Sequence, residues 1–149
     1  MDFSIKEYQP VEAVEAGIWS TIGLPLRGAK LHELVHQGLP FVFYTRVAAI
    51  LGMTENQLRQ HLRISSSTLA RRVSAGRLSK AESDQICALV GVLNAATELF
   101  EGDLSAARQW MKSPVRGLNS RAPIDMMATR VETQTVMDLI GRLEHGVGG

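Results

Sequence analysis

The chain of 149 residues predicts an all-α fold, a helix-turn-helix unit followed by a smaller helical region, and three observations carry that expectation. Apolar residues recur at i, i+3, i+4 and i+7 spacing wherever they cluster, and no stretch alternates apolar and polar residues as a half-buried strand would. Helix-start residues stand ahead of these segments: Thr54 with Gln57, Ser79 with Glu82, and Asp103. Between Thr54 and Gly76, two short helical patterns flank a three-residue break.

Residues 1–30 read as an N-terminal arm. Val11–Ile18 has the composition of a short helix, Gly17, Gly23 and Pro25 interrupt it, and the expected state is a mobile arm that packs Trp19 on the body. A first body helix spans Leu31–Gln37, with Leu31, Leu34 and Val35 on one side and Gly38 at its end. It contains His32-Glu33-Leu34-Val35-His36, the H-E-x-x-H spacing that puts two imidazoles on one face beside a general base. Zinc chemistry needs a third ligand. The extended pattern places that ligand at Val42, and Glu55 belongs to the helix-turn-helix, so the segment reads as an amphipathic helix with exposed histidines. Pro40 opens a helix over Phe41–Leu51, whose buried face is Phe41, Tyr44, Val47, Ala48 and Leu51.

Thr54 and Gln57 form a capping box for the first helix of the pair, and Leu58 and Leu62 make its inner stripe. Ile64 lies in the break, Ser65 or Ser66 caps the second helix, and Gly76 ends it. On that second helix Leu69 and Val73 are expected inside. Ser67, Arg71 and Ser74 are expected outside, with Thr68 and Arg72 on the flank. Arg63 takes the place where a left-handed residue is wanted, and Arg59 the place where close helix contact wants a small one, which predicts a splayed pair. Thr54–Lys80 holds six basic residues and one acidic, a local charge of +5, while the whole chain carries +1. A small, polar, basic outer face suits the DNA major groove. The candidate DNA contacts are Ser66, Ser67, Thr68, Arg71, Arg72 and Arg77.

Ser79 and Glu82 cap the longest helix, about Lys80–Glu101, with Ile86, Leu89, Val90, Leu93, Ala96 and Phe100 on one stripe. This stripe and that of Phe41–Leu51 are the largest apolar surfaces; a homodimer through the helical core is expected, and the sequence does not identify which face pairs. Asp103 caps a helix through Met111, a loop spans Lys112–Ala122, and Pro123 opens a short helical turn with Ile124 and Met127 inside. The last helix runs from about Thr129 to His145, followed by a glycine-rich tail. Its inward residues are Val136, Leu139, Ile140 and Leu143. That leaves Gln134, Asp138, Arg142 and His145 outward or flanking, and with Arg130 and Val147 they are the candidate partner contacts.

No glycine-rich phosphate loop, nucleophile elbow or cysteine cluster is present, so no enzyme, cofactor or metal site is expected. The lone Cys87 excludes an internal disulfide and suits a reducing compartment. No apolar run approaches the ~20 residues of a membrane span, and no signal pattern opens the chain. The expected location is the cytoplasm.

These residues also resemble a known family, the Xre/MbcA/ParS antitoxins. Ser65-x-x-Thr68-Leu69-Ala70-Arg71-Arg72, Gly76-Arg77-Leu78-Ser79, Glu82-Ser83-Asp84 and Ala95…Glu98-Leu99-Phe100 resemble the DNA-binding half. Ala107…Trp110-Met111, Pro114, Leu118, Arg121-x-Pro123, Met127-x-Thr129, Val136, Leu139-Ile140 and Glu144-His145-Gly146 resemble the toxin-binding half. Asn119-Ser120 stand where that family usually has glycines, and Glu132 replaces a common glycine before the last helix. The resemblance implies an Xre/Cro-like helix-turn-helix domain for DNA binding and dimerisation over 31–102 and a toxin-binding domain over 103–149. It implies a type II antitoxin whose partner is a RES-domain toxin that depletes NAD or transfers ADP-ribose. It further implies a homodimer, a larger complex with the toxin, and repression of the pair's own promoter through operator DNA. A stand-alone helix-turn-helix regulator is the alternative.

Overall fold

The computed structural model describes residues 17–25 and 28–146. Their order is α1 (Ile18–Ile22), α2 (Ala29–Gln37), α3 (Val42–Leu51), α4 (Glu55–Leu62), α5 (Ser66–Ala75), α6 (Lys80–Leu99), α7 (Leu104–Met111), the 3-10 turns η1 (Arg116–Leu118) and η2 (Pro123–Met126), and α8 (Arg130–Glu144). No β-strand occurs among the described residues, which hold only the isolated bridges Pro40–Arg77 and Val115–Arg121.

α6 is the axis of this arrangement. The Ser79 hydroxyl accepts from Glu82 N and the Glu82 carboxylate accepts from Ser79 N, so both ends of the expected capping box are made. The helix then runs 20 residues, roughly 30 Å at 1.5 Å per residue. Ile86, Leu89, Val90, Leu93 and Ala96 are fully buried, as the stripe requires, and Val92 is buried beside them. The buried arc is wide because α7 and α8 pack on α6 together with α1, α2 and α3. Phe100, expected as the last inward residue of the helix, is instead its C-cap, half-buried with its ring 6.4 Å from that of Trp110.

In front of the axis, α3 buries Tyr44, Val47, Ala48 and Leu51. The apolar stripes of α3 and α6 therefore face this chain's own core, which corrects the expectation that they are free to pair two copies. Phe41 serves as the N-cap of α3, half-buried with its ring stacked 5.1 Å from that of Tyr44. α2 begins at Ala29 and has no fully buried residue; Leu31 and Leu34 only lean on the core. Most of the helix expected at Val11–Ile18 lies outside the described residues, and the observed turn is Ile18–Ile22. It is firmly seated. Trp19 is buried over Gly91, Ile18 N donates to Asn94 Oδ1 at 2.9 Å, and Arg46 donates to the Ile22 carbonyl at 2.8 Å.

The two ends of the helix-turn-helix are tied to the α2–α3 connection. Phe41 N donates to Gly76 O and Leu78 N to Leu39 O, both at 2.9 Å, and Leu39 N donates to Ser83 Oγ at 2.8 Å. This approach needs Gly38, whose φ is +89° and whose missing Cβ would lie 2.1 Å from the Leu78 carbonyl oxygen.

The C-terminal region is built on Asp103, whose carboxylate accepts from Ala106 N to cap α7. The stretch expected as a plain loop, Lys112–Ala122, contains η1 and is closed by Val115 N to Arg121 O and Ser120 N to Val115 O, each 3.0 Å. Asn119 and Ser120 both have left-handed backbones, φ 55° and 63°, which is the physical reason glycine suits these positions. Glu132 occupies the third position of α8, where it accepts from Thr129 Oγ1 and from Arg121. Ile124, Met126 and Met127 are buried, as are Val136, Leu139 and Ile140; Leu143 is half-buried.

Polar bridges join the helix-turn-helix to this region. The Gln85 amide of α6 donates to Leu62 O at the end of α4 and to Ala128 O just before α8, at 3.3 and 3.1 Å. His61 Nδ1 lies 2.6 Å from Asp125 Oδ1.

Within the helix pair, Arg63 has φ 60° and ψ 40°, a left-handed conformation that costs a non-glycine residue roughly 1–2 kcal/mol. Arg59 is accommodated along the surface, its guanidinium bonded to Asn56 Oδ1 and the Ile64 carbonyl. Arg63→Gly is expected to raise stability by up to about 1 kcal/mol, seen as a higher urea midpoint with an unchanged slope; a lower midpoint would contradict the cost assigned to this turn.

Candidate nucleic-acid interface and C-terminal partner face

α5 is exposed along most of its length and has no fully buried residue. Ser65 caps it, accepting from Thr68 N at 3.1 Å, and its hydroxyl donates to Thr68 Oγ1 at 2.9 Å. Ser66, Ser67, Ala70, Arg71 and Ser74 form the outer face. Arg71 reaches out with only Thr68 Oγ1 as a hydrogen-bond partner among the described residues, at 3.2 Å.

Val73 does not face inward as its spacing from Leu69 suggested; it is 54% exposed. The inner edge of α5 is formed by Leu69 and Arg72 instead, three residues apart. Glu82 is the cause. Its carboxylate takes two hydrogen bonds from Arg72, Nε to Oε1 at 2.7 Å and the second nitrogen to Oε2 at 3.1 Å. With Arg72 held against the start of α6, Val73 is carried about 100° round the helix into solvent. Arg72 was placed on the flank of the DNA face; the structure turns its guanidinium to Glu82. Arg77 is likewise engaged, donating to the Gly38 carbonyl. Of the six expected DNA contacts, Ser66, Ser67 and Arg71 share the outer face, Thr68 is half-buried beside the cap, and Arg72 and Arg77 hold the pair in place.

The Glu82 carboxyl is partly desolvated, which alone would raise its pKa, but the hydrogen bonds from Arg72 and Ser79 and the Arg72 charge together bring it below the usual carboxylate range. Burial pushes the Cys87 thiol up to about 11, with the Asp84 charge adding to it, so this cysteine is a weak nucleophile. His32 and His36 are exposed and border a shallow hollow with Asp84 and Cys87. No group of three or more His, Cys, Asp and Glu side chains is arranged to hold a metal ion among the described residues. None of their helices is long and apolar enough to cross a membrane.

At the other end, α8 presents Gln134, Asp138, Arg142 and His145 to solvent while Val136, Leu139 and Ile140 face the core. Gln134 donates to Asp138 Oδ1 at 2.9 Å, a pair that stiffens this face. Arg130, at the start of the helix, is ion-paired with Asp84 of α6. Both of those side chains stay largely exposed, so the contact is weak and exchangeable. Val147 lies outside the described residues.

Residues 30–91 match the model of the antitoxin Xre-like helix-turn-helix domain, and residues 95–146 match that of the antitoxin Xre/MbcA/ParS C-terminal toxin-binding domain. The curated relatives include an antitoxin Xre of Yersinia enterocolitica, 34% identical, and one of Photorhabdus laumondii subsp. laumondii, 32% identical. Each alignment covers 146 residues, 96% of this chain and 99% of the relative. The chain belongs to the Xre antitoxin family.

An antitoxin of this family joins a DNA-reading module to a toxin-binding one, and in this chain the two matched regions meet between residues 91 and 95, inside α6. The outer face of α5 falls in the first and α8 in the second. Reasoning from sequence identified the cap Ser79-Glu82 but not that the same carboxylate seizes Arg72; a basic residue ten positions ahead of a capping glutamate is a usable signal. It also missed His61–Asp125 and the double role of Gln85, which join residues up to 64 apart and leave no local pattern.

Glu82→Gln tests the Arg72 clamp. Because the folded pKa is lowered, the unfolded chain binds the proton first, and stability from this group is complete above roughly pH 4.3 and falls as pH drops toward the folded value. The substitution is expected to cost on the order of 1–2 kcal/mol at pH 7 and to make the acid limb of a stability–pH profile shallower. Urea midpoints at pH 7 and pH 3 that shift equally in variant and wild type would rule out the linkage.

Proposed function

We propose that this antitoxin neutralises a RES-domain toxin that degrades NAD or transfers ADP-ribose, and that it represses the operon encoding the pair. The polar outer face of α8 is the observation that carries the toxin-binding half of this reading. Gln134, Asp138, Arg142 and His145 stand exposed over a buried stripe, at the end of the chain covered by the toxin-binding match. A toxin that consumes a phosphate-bearing dinucleotide keeps a polar, cation-seeking cleft open. Arg142, with Arg130 released from its surface pair, offers such a cleft the charge of the substrate's own counterions. The antitoxin thus acts by covering the toxin's active site and needs no catalysis or cofactor of its own.

The DNA half of the proposal rests on α5. Its outer face is short-chained apart from Arg71, so the helix backbone approaches the groove floor and Arg71 reaches a guanine edge. Ser66 and Ser67 add contacts at the helix start, where recognition helices meet base edges. Arg72 and Arg77 act by holding α5 and the following turn in position, and Thr68 by orienting Arg71. A homodimer reading two half-sites in the cytoplasm, and a larger assembly once toxin joins, complete the picture. A stand-alone regulator would leave the region matched at 95–146 without a role.

Arg71→Ala is expected to weaken operator binding by about 1–3 kcal/mol at unchanged melting temperature, measured by fluorescence anisotropy beside a thermal melt. Unaltered affinity would remove Arg71 from the reading face. For the toxin, deletion of His145–Gly149 combined with Arg142→Ala leaves the inward stripe intact. It is expected to weaken the complex at least about tenfold, or 1.4 kcal/mol, and to abolish protection of cells expressing the toxin. Full protection at equal antitoxin abundance would move the blocking surface elsewhere, to the Asp103–Ala122 region.

A further inference from the structure

The toxin-binding half carries basic side chains to the threshold of the helix-turn-helix. From α7, Arg108 Nε donates to the Ile50 carbonyl at 2.8 Å, at the end of α3. From the turn after α7, Lys112 Nζ stands 3.5 Å from the Gly52 carbonyl, on the connection that leads into α4. The two cations differ in what remains free. Arg108 is half-buried and uses its head to hold α7 to α3, whereas Lys112 is exposed and has no carboxylate partner among the described residues.

Lys112 is also the shared wall of two neighbouring hollows. One, about 400 Å³, is bordered by Gly52, Gln57, Gln60 and His61; the other, about 300 Å³, by Ser105, Arg108, Gln109 and Ser113. Among the described residues Asp125 is the one carboxylate bordering either hollow, and it is bonded to His61 at 2.6 Å. What remains is a concave, hydrogen-bonding surface with an unneutralised ammonium at its centre, which suits an anionic oxygen cluster. The position decides which one. When α5 lies in a major groove, the preceding helix, α4, crosses the sugar–phosphate backbone. Gly52 lies three residues ahead of Glu55, where that helix begins, and Lys112 stands beside it.

We propose that Lys112, although it belongs to the toxin-binding half, holds a backbone phosphate of the DNA that α5 reads. The inference rests on the DNA-reading role assigned to α5. It makes the operator contact surface a product of both halves of the chain. A single ammonium–phosphate contact positions the protein without reading sequence, so its signature is electrostatic. It differs in kind from that of Arg71.

The experiment titrates full-length protein against its promoter duplex and a scrambled duplex over 50–200 mM salt. Lys112→Gln is expected to lower the slope of log K against log salt by about 0.9, so that the advantage of wild type shrinks about 3.5-fold across that range. The loss should be equal on both duplexes, Lys112→Arg should keep the wild-type slope, and the melting temperature should not move. Equal slopes for wild type and Lys112→Gln overturn the phosphate contact and leave DNA reading by α5 standing. A loss confined to the promoter duplex overturns it too, since that would be base readout. Failure of wild type to bind the promoter at all overturns both.

Discussion

One helix has to be buried by two different sets of neighbours. α6 gives its apolar arc to α1, α2 and α3 on one part of its circumference and to α7 and α8 on another. That is why Val92 is as inaccessible as Leu89 or Leu93. Ile86, Leu89, Val90, Val92, Leu93 and Ala96 of this helix are all in the core, and a fully buried leucine or valine is worth roughly 1.5–3 kcal/mol. The surface elements then have little packing of their own. α2 and α5 each bury no residue completely, so polar contacts at their edges help to set their orientation.

Those polar contacts form a short chain of command. Ser79 starts α6, Glu82 completes the cap, and the same carboxylate turns α5 by holding Arg72. Arg77 and the Gly38–Leu39 segment tie the far end of α5 to the body. Tyr44 is fully buried and gives its hydroxyl to the Glu55 carbonyl at 2.7 Å, anchoring the start of α4. Burial and then the nearby Glu55 charge raise the pKa of that phenol, so it stays a donor. The basic surface is thereby divided. Arg59, Arg72 and Arg77 serve the fold, while Arg71 and Lys112 remain exposed.

How much of this was legible in the sequence follows from the range of each interaction. The caps at Thr54, Ser79 and Asp103 act over three residues and were readable together with every helix they start. The left-handed turn at Arg63 was readable because the break has a fixed length. Val73 was misplaced because periodicity assigns a face by apolar character, and here an ion pair outcompetes a valine for the inner position. The division of the arginines was invisible for the same reason, since Arg77 is matched to a carbonyl 39 residues away. On α8 the outward residues followed from the stripe beneath them. Whether Arg130 was free did not, because Asp84 lies 46 residues back.

The Gln85 amide, which touches a carbonyl from each side, bears on how the molecule handles two partners at once. Since the DNA-facing and toxin-facing regions meet within a continuous helix and are cross-linked by that amide, there is no tether between them to absorb a misfit. On the reading proposed above, a toxin seated on α8 would stand at an angle to the duplex that is dictated by the fold, much as a bracket sets the angle of a shelf. If two copies read two half-sites, as proposed, the rise and rotation between those sites would decide which assembled copies clash and which sit side by side. Spacing on the DNA would then become a ruler for the protein complex.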